Sequence, residues 1–121
     1  MRNVFVIALL LFLSSCATPK PQPDAFASAE EGINDAVQAG AEQYSPVELK
    51  FAREKLAEAH KGIDYKQYDK AFYLIEQSEI NSELAIENSR AAVLRGQVSE
   101  LARSNEILRE DYQNTYGEVL E

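Results

Sequence analysis

The chain has one cysteine, one histidine, no tryptophan and only five glycines among its 121 residues. A single cysteine excludes an intrachain disulfide, so packing has to stabilise the fold. The single histidine, His60, excludes metal motifs built on paired histidines, and we expect it to be structural or solvated. No phosphate-binding glycine loop and no catalytic serine or cysteine motif is present. We therefore expect no enzymatic activity, no metal, no cofactor and no small-molecule substrate.

Basic residues are also few, with 12 Lys and Arg against 20 Asp and Glu and a net charge of −8. Phosphate binding requires clustered cations, so nucleic acid is not an expected partner. An acidic strip at helical spacing is made by Glu76, Glu79, Glu83 and Glu87. We expect a solvated face. The alternatives are that the strip meets Lys50, Arg53 or Lys61 on the preceding helix, meets the basic side of a partner, or collects divalent cations weakly.

The longest apolar run covers residues 4–13, follows Arg2 and leads into Leu13, Ser14, Ser15 and the lone Cys16. It is about half the ~20 residues that a helix needs to cross a bilayer. A charged start, an apolar core and small residues at the end predict a secretory signal peptide over residues 1–15. The alternatives are an ordinary signal peptide that happens to contain a cysteine, and an uncleaved membrane anchor.

The stretch Leu13-Ser14-Ser15-Cys16 resembles the lipobox of bacterial lipoproteins. This resemblance implies cleavage after Ser15 and acylation of Cys16, which would bind the membrane through its acyl chains. Two or more chains make such an anchor long-lived. Because Ala17 replaces the aspartate that commonly retains lipoproteins in the inner membrane, the resemblance also implies the outer membrane, facing the periplasm. A Gram-positive cell surface is the alternative.

After the signal peptide, the chain has the composition of an all-α protein. Residues 16–23 contain three prolines and predict an extended tether that lifts the folded part off the membrane. Residues 24–90 predict a helical hairpin or a three-helix core. A first helix is expected from an Asp24 cap to about Ala41, with an apolar stripe of Phe26, Ala29, Ile33, Val37 and Gly40.

Two further helices follow in this domain. Ser45, Pro46 and Glu48 predict a helix start with a capping box. The inner stripe of this second helix is Leu49, Ala52, Leu56, Ala59 and Ile63, and a turn is expected at Gly62 and Asp64. A third helix is expected to start between Tyr65 and Tyr68 and to run well past Arg90, with Gly96 as its weakest point. Its inner stripe is Tyr68, Ala71, Phe72, Ile75, Ser82, Ala85 and Ser89.

Residues 91–121 form a heptad pattern in which apolar positions alternate at spacings of three and four. One position holds Ala91, Val98, Asn105, Tyr112 and Val119, and the other holds Leu94, Leu101, Leu108 and Thr115. This pattern predicts a coiled coil, and an asparagine at such a position often fixes register and partner number. The expected partner seam is Leu94, Val98, Leu101, Asn105, Leu108 and Tyr112. Packing of this stripe on the first helix, and fraying, are the alternatives.

Residues 24–90 resemble small bacterial envelope lipoproteins that carry a helical domain of unknown function. The likeness rests on Tyr44-Ser45-Pro46 with Glu48-Leu49, on Ala52-Arg53-Glu54-Lys55-Leu56 with Ala59, on Gly62-Ile63-Asp64-Tyr65, and on Ala71 with Glu76-Gln77-Ser78-Glu79. Members occur alone or in front of an OmpA-like peptidoglycan-binding domain. No such domain follows within this sequence, so peptidoglycan binding through one is not expected. The resemblance supplies no catalytic residues.

Together these observations predict a non-enzymatic outer-membrane lipoprotein. It would act as an envelope adaptor or scaffold through helix–helix contacts, with itself or another helical envelope protein as partner. The alternative is a small helical module that binds a peptide or activates an envelope enzyme.

Overall fold

The computed structural model describes residues 18–117, and within this range the regular structure is helical. Helix α1 spans Pro23–Gln38, α2 spans Ala41–Tyr44, α3 spans Pro46–Asp64 and α4 spans Tyr68–Tyr116. Helices α1, α3 and α4 pack on one another, and the single-turn α2 joins the first two. The predictions of an all-α fold and of a long C-terminal helix are confirmed.

Contacts at the two ends of the bundle give the helix directions. Phe26, near the start of α1, stacks on His60, near the end of α3. At the other end, Ser45, just before α3, contacts Asn88 in the middle of α4. Helix α3 therefore runs antiparallel to α1 and α4, and α1 runs parallel to α4.

Helix α1 differs from its prediction at both ends. It begins at Pro23, after an extended Gln22, and the side chain of Asp24 does not cap it. Proline suits this first position because it lacks the N–H that would stay unpaired there. The helix ends at Gln38 because Gly40 adopts a left-handed φ of +86°, which glycine tolerates far better than other residues. Gly40 is thus a helix terminator, and its predicted place in the apolar stripe is wrong.

Helix α3 begins as predicted after Ser45, with Pro46 in its first turn. The capping box differs in detail, because the Ser45 hydroxyl makes no bond to a backbone N–H of the helix. Instead it donates to the Glu48 carboxylate, with 2.6 Å between the two oxygens. The turn after α3 places Lys66 at a φ of 56°.

The core consists of small and medium side chains in two clusters. The first joins Ala29, Leu56, Ala59, Leu74 and Ile75, and the second joins Ala36, Ala41, Leu49 and Ala85. Half-buried Ile33 packs against both clusters. The predicted stripe of α3 is confirmed from Leu49 to Ala59. On α4, Phe72 is exposed although it was predicted to face inward, and Leu74 is buried instead.

Small residues allow close approach of the helices. A Cβ on Gly62 would lie 3.3 Å from the Cβ of Ala71, and a Cβ on Gly32 would lie 3.3 Å from that of Ser82. Because these distances are tighter than ordinary contact, the helices pack too closely there for a larger side chain.

Residues 18–22 have no regular secondary structure, with an extended backbone at Gln22, and they lie against the bundle. The Thr18 hydroxyl donates to the Asp69 carboxylate in the first turn of α4. Pro21 is buried. Residues 18–22 of the predicted tether therefore lie against the domain, and the role of residues 16–23 as a spacer from the membrane stays a prediction. No helix between residues 18 and 117 has the length and hydropathy required to span a bilayer.

Candidate functional site

The predicted partner seam lies along the free part of α4. We call its six residues the distal seam: Leu94, Val98, Leu101, Asn105, Leu108 and Tyr112. Its apolar members are between 59% and 66% exposed, and Asn105 is exposed as well. Isolated exposed leucines need no explanation, but a line of them on one side of a helix marks an interaction surface.

The distal seam belongs to one uninterrupted helix of 49 residues, which is about 73 Å long at 1.5 Å per residue. The helix continues through Gly96, whose surroundings within 4 Å are open. Glu106 and Arg109, which lie one turn apart on its surface, form an ion pair of 3.9 Å. The rings of Tyr112 and Tyr116 are 5.1 Å apart near its end. Fraying of this segment, one of the predicted alternatives, is not what the structure shows for residues 91–116.

The distal seam also does not pack on the first helix. Every residue from Val93 to Gly117 is exposed, whereas Ala91 and Ala92 are still half-buried. The bundle therefore ends near Leu94, and about 33 Å of single helix extends beyond it. The alternative of intramolecular packing on α1 is wrong. The predicted coiled coil stays a prediction, since it requires a second chain.

The tether and the distal seam lie at opposite ends of the molecule. Thr18 contacts Asp69 at the start of α4, and Tyr116 is the last residue of the same helix. The described part of the tether, residues 18–22, therefore lies at the end of the molecule where α4 begins, and the distal seam extends toward the end where α4 finishes.

The stretch around Ser45, which carries part of the family resemblance, connects α3 to α4. Ser45 is 2% exposed. Its hydroxyl oxygen accepts a 3.4 Å hydrogen bond from the Asn88 amide, and its O–H donates a hydrogen bond to the Glu48 carboxylate. The hydroxyl, followed by the backbone N–H of Glu48, lowers the pKa of the Glu48 carboxyl. This arrangement fixes the start of α3 to the middle of α4.

The acidic strip is not neutralised by α3. Lys50 pairs with Glu54 at 3.6 Å and Arg53 with Glu42 at 3.3 Å, so neither reaches the strip. Within the strip, Glu87 bonds Arg90 at 2.7 Å. The described residues contain no group of three or more potential metal ligands. The strip is mainly a solvated face, as expected.

A cleft at the tether end was not predicted. It has a volume of about 550 Å³ and is lined by residues of the tether, α1 and the end of α3, including Pro21, Phe26, His60 and Ile63. The ring of His60 stacks on that of Phe26 with 4.3 Å between centroids. No local pattern signals this cleft, because it exists only where residues 20–30 meet residues 60–63. His60 has the structural role that its sequence context predicts.

Several predicted site residues lie outside the described residues. These are the cleavage residues Leu13, Ser14 and Ser15, the lipidation residue Cys16, and Val119 at the end of the heptad pattern.

Comparison with known proteins adds one finding. No curated protein and no solved structure matches the chain significantly. Residues 24–101 match the family described as "Domain of unknown function (DUF4398)". This match covers α1, α2, α3 and the first two thirds of α4, and it includes Leu94, Val98 and Leu101 of the distal seam. Since the match extends over more than half of the 121 residues, the chain belongs to the DUF4398 family.

Proposed function

We propose that the protein is a non-enzymatic outer-membrane lipoprotein, anchored through acyl chains on Cys16 and facing the periplasm. It acts as an envelope adaptor or scaffold through helix–helix contacts. The observation that carries the proposal is the distal seam, an apolar line on a helix that extends about 33 Å beyond its own bundle. Most of the stability of a helix with one apolar side comes from packing of that side against another surface.

The proposed anchor is consistent with this geometry. The lipobox-like stretch ends at Cys16, and Thr18 is held at the start of α4. A lipid on Cys16 therefore places the bundle beside the membrane and the distal seam away from it, in reach of soluble domains of other envelope proteins. Replacing Cys16 by serine is expected to abolish acyl labelling and leave the signal peptide uncleaved.

The proposal is tested by photocrosslinking in the intact envelope. A photoreactive residue is placed at Leu101, in the distal seam, and at Ile107, which is 50% exposed on another side of the same helix. We expect adducts of defined mass from Leu101 and few from Ile107. Equal labelling from both positions, or none from either, would contradict the proposal.

The cleft beside His60 supports a second candidate function, a small module that binds a peptide or activates an envelope enzyme. Its size and its apolar lining by Phe26 and Ile63 suit a few side chains of a peptide. Exposed Ala27 also lines this cleft and is the position for a third photoreactive residue. A partner captured from Ala27 but not from Leu101 would favour this function over the scaffold.

A further inference from the structure

Apolar side chains are also exposed on the part of α4 that lies within the bundle. Tyr73 is 59% exposed, Ile80 49% and Leu84 48%, although α1 and α3 pack on the same helix. Single exposed apolar residues are common on a protein surface, but several on one side of a helix form a patch that can bind a partner. They are spaced seven and four residues apart, which places them on one side of α4.

These residues continue the distal seam without a break in its spacing. From Tyr73 onward, steps of four and three residues alternate strictly up to Leu94, through Gln77, Ile80, Leu84, Glu87 and Ala91. The same alternation then continues through the distal seam to Tyr112. We call the whole line, Tyr73 to Tyr112, the long seam. It is a heptad pattern over almost six repeats, and the whole pattern lies within the single helix α4.

The long seam is free because the bundle uses another side of α4. The side that faces α1 and α3 consists of Ala71, Leu74, Ile75, Ser78, Ser82, Ala85 and Ser89. None of these residues belongs to the long seam. At heptad spacing the centres of the two sides are about 140° apart around the helix, so a second helix can lie along the long seam without displacing α1 or α3.

The exposed apolar area of the long seam can be compared with the area that a stable protein–protein interface buries. A large apolar side chain buries about 100 Å², so those of the distal seam, at 59% to 66% exposed, offer about 60 Å² each. The distal seam alone then gives roughly 600 Å² in a symmetric pair, whereas stable interfaces begin near 1,200 Å². Tyr73, Ile80 and Leu84 in the bundle part of the line raise this area to roughly 900 Å² in the pair. Flanking residues therefore have to supply about 300 Å² more to reach the size of a stable interface.

We propose that the long seam binds a second copy of this chain, as a parallel, in-register, two-stranded coiled coil from Tyr73 to Tyr112. This proposal rests on the proposed function, since it names the partner of the distal seam. Two chains anchored in one membrane have their tethers at the same end, so their α4 helices point the same way.

Among the polar residues of the long seam, Asn105 favours this arrangement. In a parallel pair Asn105 faces Asn105 of the second copy, and the two amides can bond each other. In an antiparallel pair of full overlap, Asn105 faces Ile80 and its amide is buried without a partner, which is unfavourable. Glu87 meets its own copy in the parallel pair, and the 2.7 Å bond from Arg90 in each chain offsets the repulsion.

The test uses disulfide formation in the native membrane with the full-length protein. Cysteine is introduced separately at Leu84, in the bundle part of the long seam, and at Leu101, in the distal seam. Ile107, 50% exposed on another side of α4, is the matched control. We expect Leu84→Cys and Leu101→Cys each to give a disulfide-linked species of twice the mass on oxidation, and Ile107→Cys to stay monomeric. Glu87→Leu is expected to lower the dissociation constant of the purified dimer at least tenfold.

The outcomes separate this proposal from the proposed function. A linked dimer from Leu101→Cys but not from Leu84→Cys overturns the extension into the bundle. A mixed disulfide between the Leu84→Cys and Leu101→Cys chains shows an antiparallel pair and overturns the orientation. Monomers throughout, together with photocrosslinks from Leu101 to a different protein, overturn the dimer and leave the adaptor function standing. Monomers without any photocrosslink contradict both.

Discussion

Three buried serines on α4 provide a matched test of the packing. Ser78, Ser82 and Ser89 are each at most 1% exposed and face the bundle. The Ser78 hydroxyl donates to the carbonyl of Ala52 on α3 at 2.8 Å, and that of Ser89 to the carbonyl of Ala85 in its own helix at 2.6 Å. The hydroxyl of Ser82 has no hydrogen-bond partner. The same substitution therefore removes a bond between helices at Ser78, a bond within one helix at Ser89 and an unpaired hydroxyl at Ser82.

Replacement by alanine is expected to rank these sites. The gain in helix propensity, about 0.5 kcal/mol, is common to all three and cancels in the comparison. Ser78→Ala loses a bond between helices, a cost of about 1 kcal/mol, while Ser82→Ala removes a buried unpaired hydroxyl, a gain of about 1 kcal/mol or more. Ser89→Ala should lie between them. The Cβ that packs against Gly32 is kept in Ser82→Ala, so its packing is unchanged.

Thermal unfolding followed by circular dichroism measures this ranking. One kcal/mol shifts the Tm of a domain of this size by about 4–8 °C, so Ser82→Ala should melt roughly 10 °C above Ser78→Ala. Urea unfolding of the same variants checks that the slope m is unchanged and that the difference is one of stability. If Ser82→Ala is no more stable than Ser78→Ala, the assignment of bonded and unbonded hydroxyls in this interface is refuted.

Two further predictions concern the backbone and the start of α3. Gly40→Ala should destabilise the fold by about 1–2 kcal/mol because alanine does not tolerate the left-handed φ at this position. Gly96→Ala, whose surroundings are open, should raise the helical signal at 222 nm in circular dichroism without loss of stability. Equal effects of the two substitutions on stability would contradict the helix break at Gly40. Folding lowers the pKa of Glu48, so its contribution is present above the ordinary value of 4.5 and is lost as pH falls through the folded value. Glu48→Gln should therefore show a smaller loss of stability than the wild type in urea unfolding between about pH 6 and about pH 3, and an equal loss would contradict the bond from Ser45.

Features set by local chemistry were predictable from the sequence. Pro46 after Ser45 predicts the start of α3, and the heptad spacing predicts one apolar line along the C-terminal helix. Both depend on residues within one or two turns of each other. The break at Gly40 was missed because a glycine within an apolar stripe can also continue a helix, and its left-handed conformation is decided by how α2 packs.

Features set by tertiary contacts were not predictable. Phe72 and Leu74 are both apolar, and which of them is buried depends on the angle at which α3 crosses α4. The exposed apolar side of α4 within the bundle could not be predicted from the sequence for a related reason. There, one apolar stripe faces the core and another faces solvent, so the hydrophobic pattern no longer indicates a single inner side. The docking of residues 18–22 likewise depends on a contact with Asp69, 51 residues away in the chain.

The abrupt end of the bundle near Leu94 divides α4 into two parts of different local stability. The backbone hydrogen bonds before Leu94 are protected by α1 and α3, so their amides exchange with solvent only when the bundle opens. Those after Leu94 belong to a lone helix of about 22 residues, which is marginal in water and opens by itself. Slow amide exchange beyond Leu94 would therefore require a bound partner. Hydrogen exchange in the distal half of α4 thus indicates directly whether a partner is bound there.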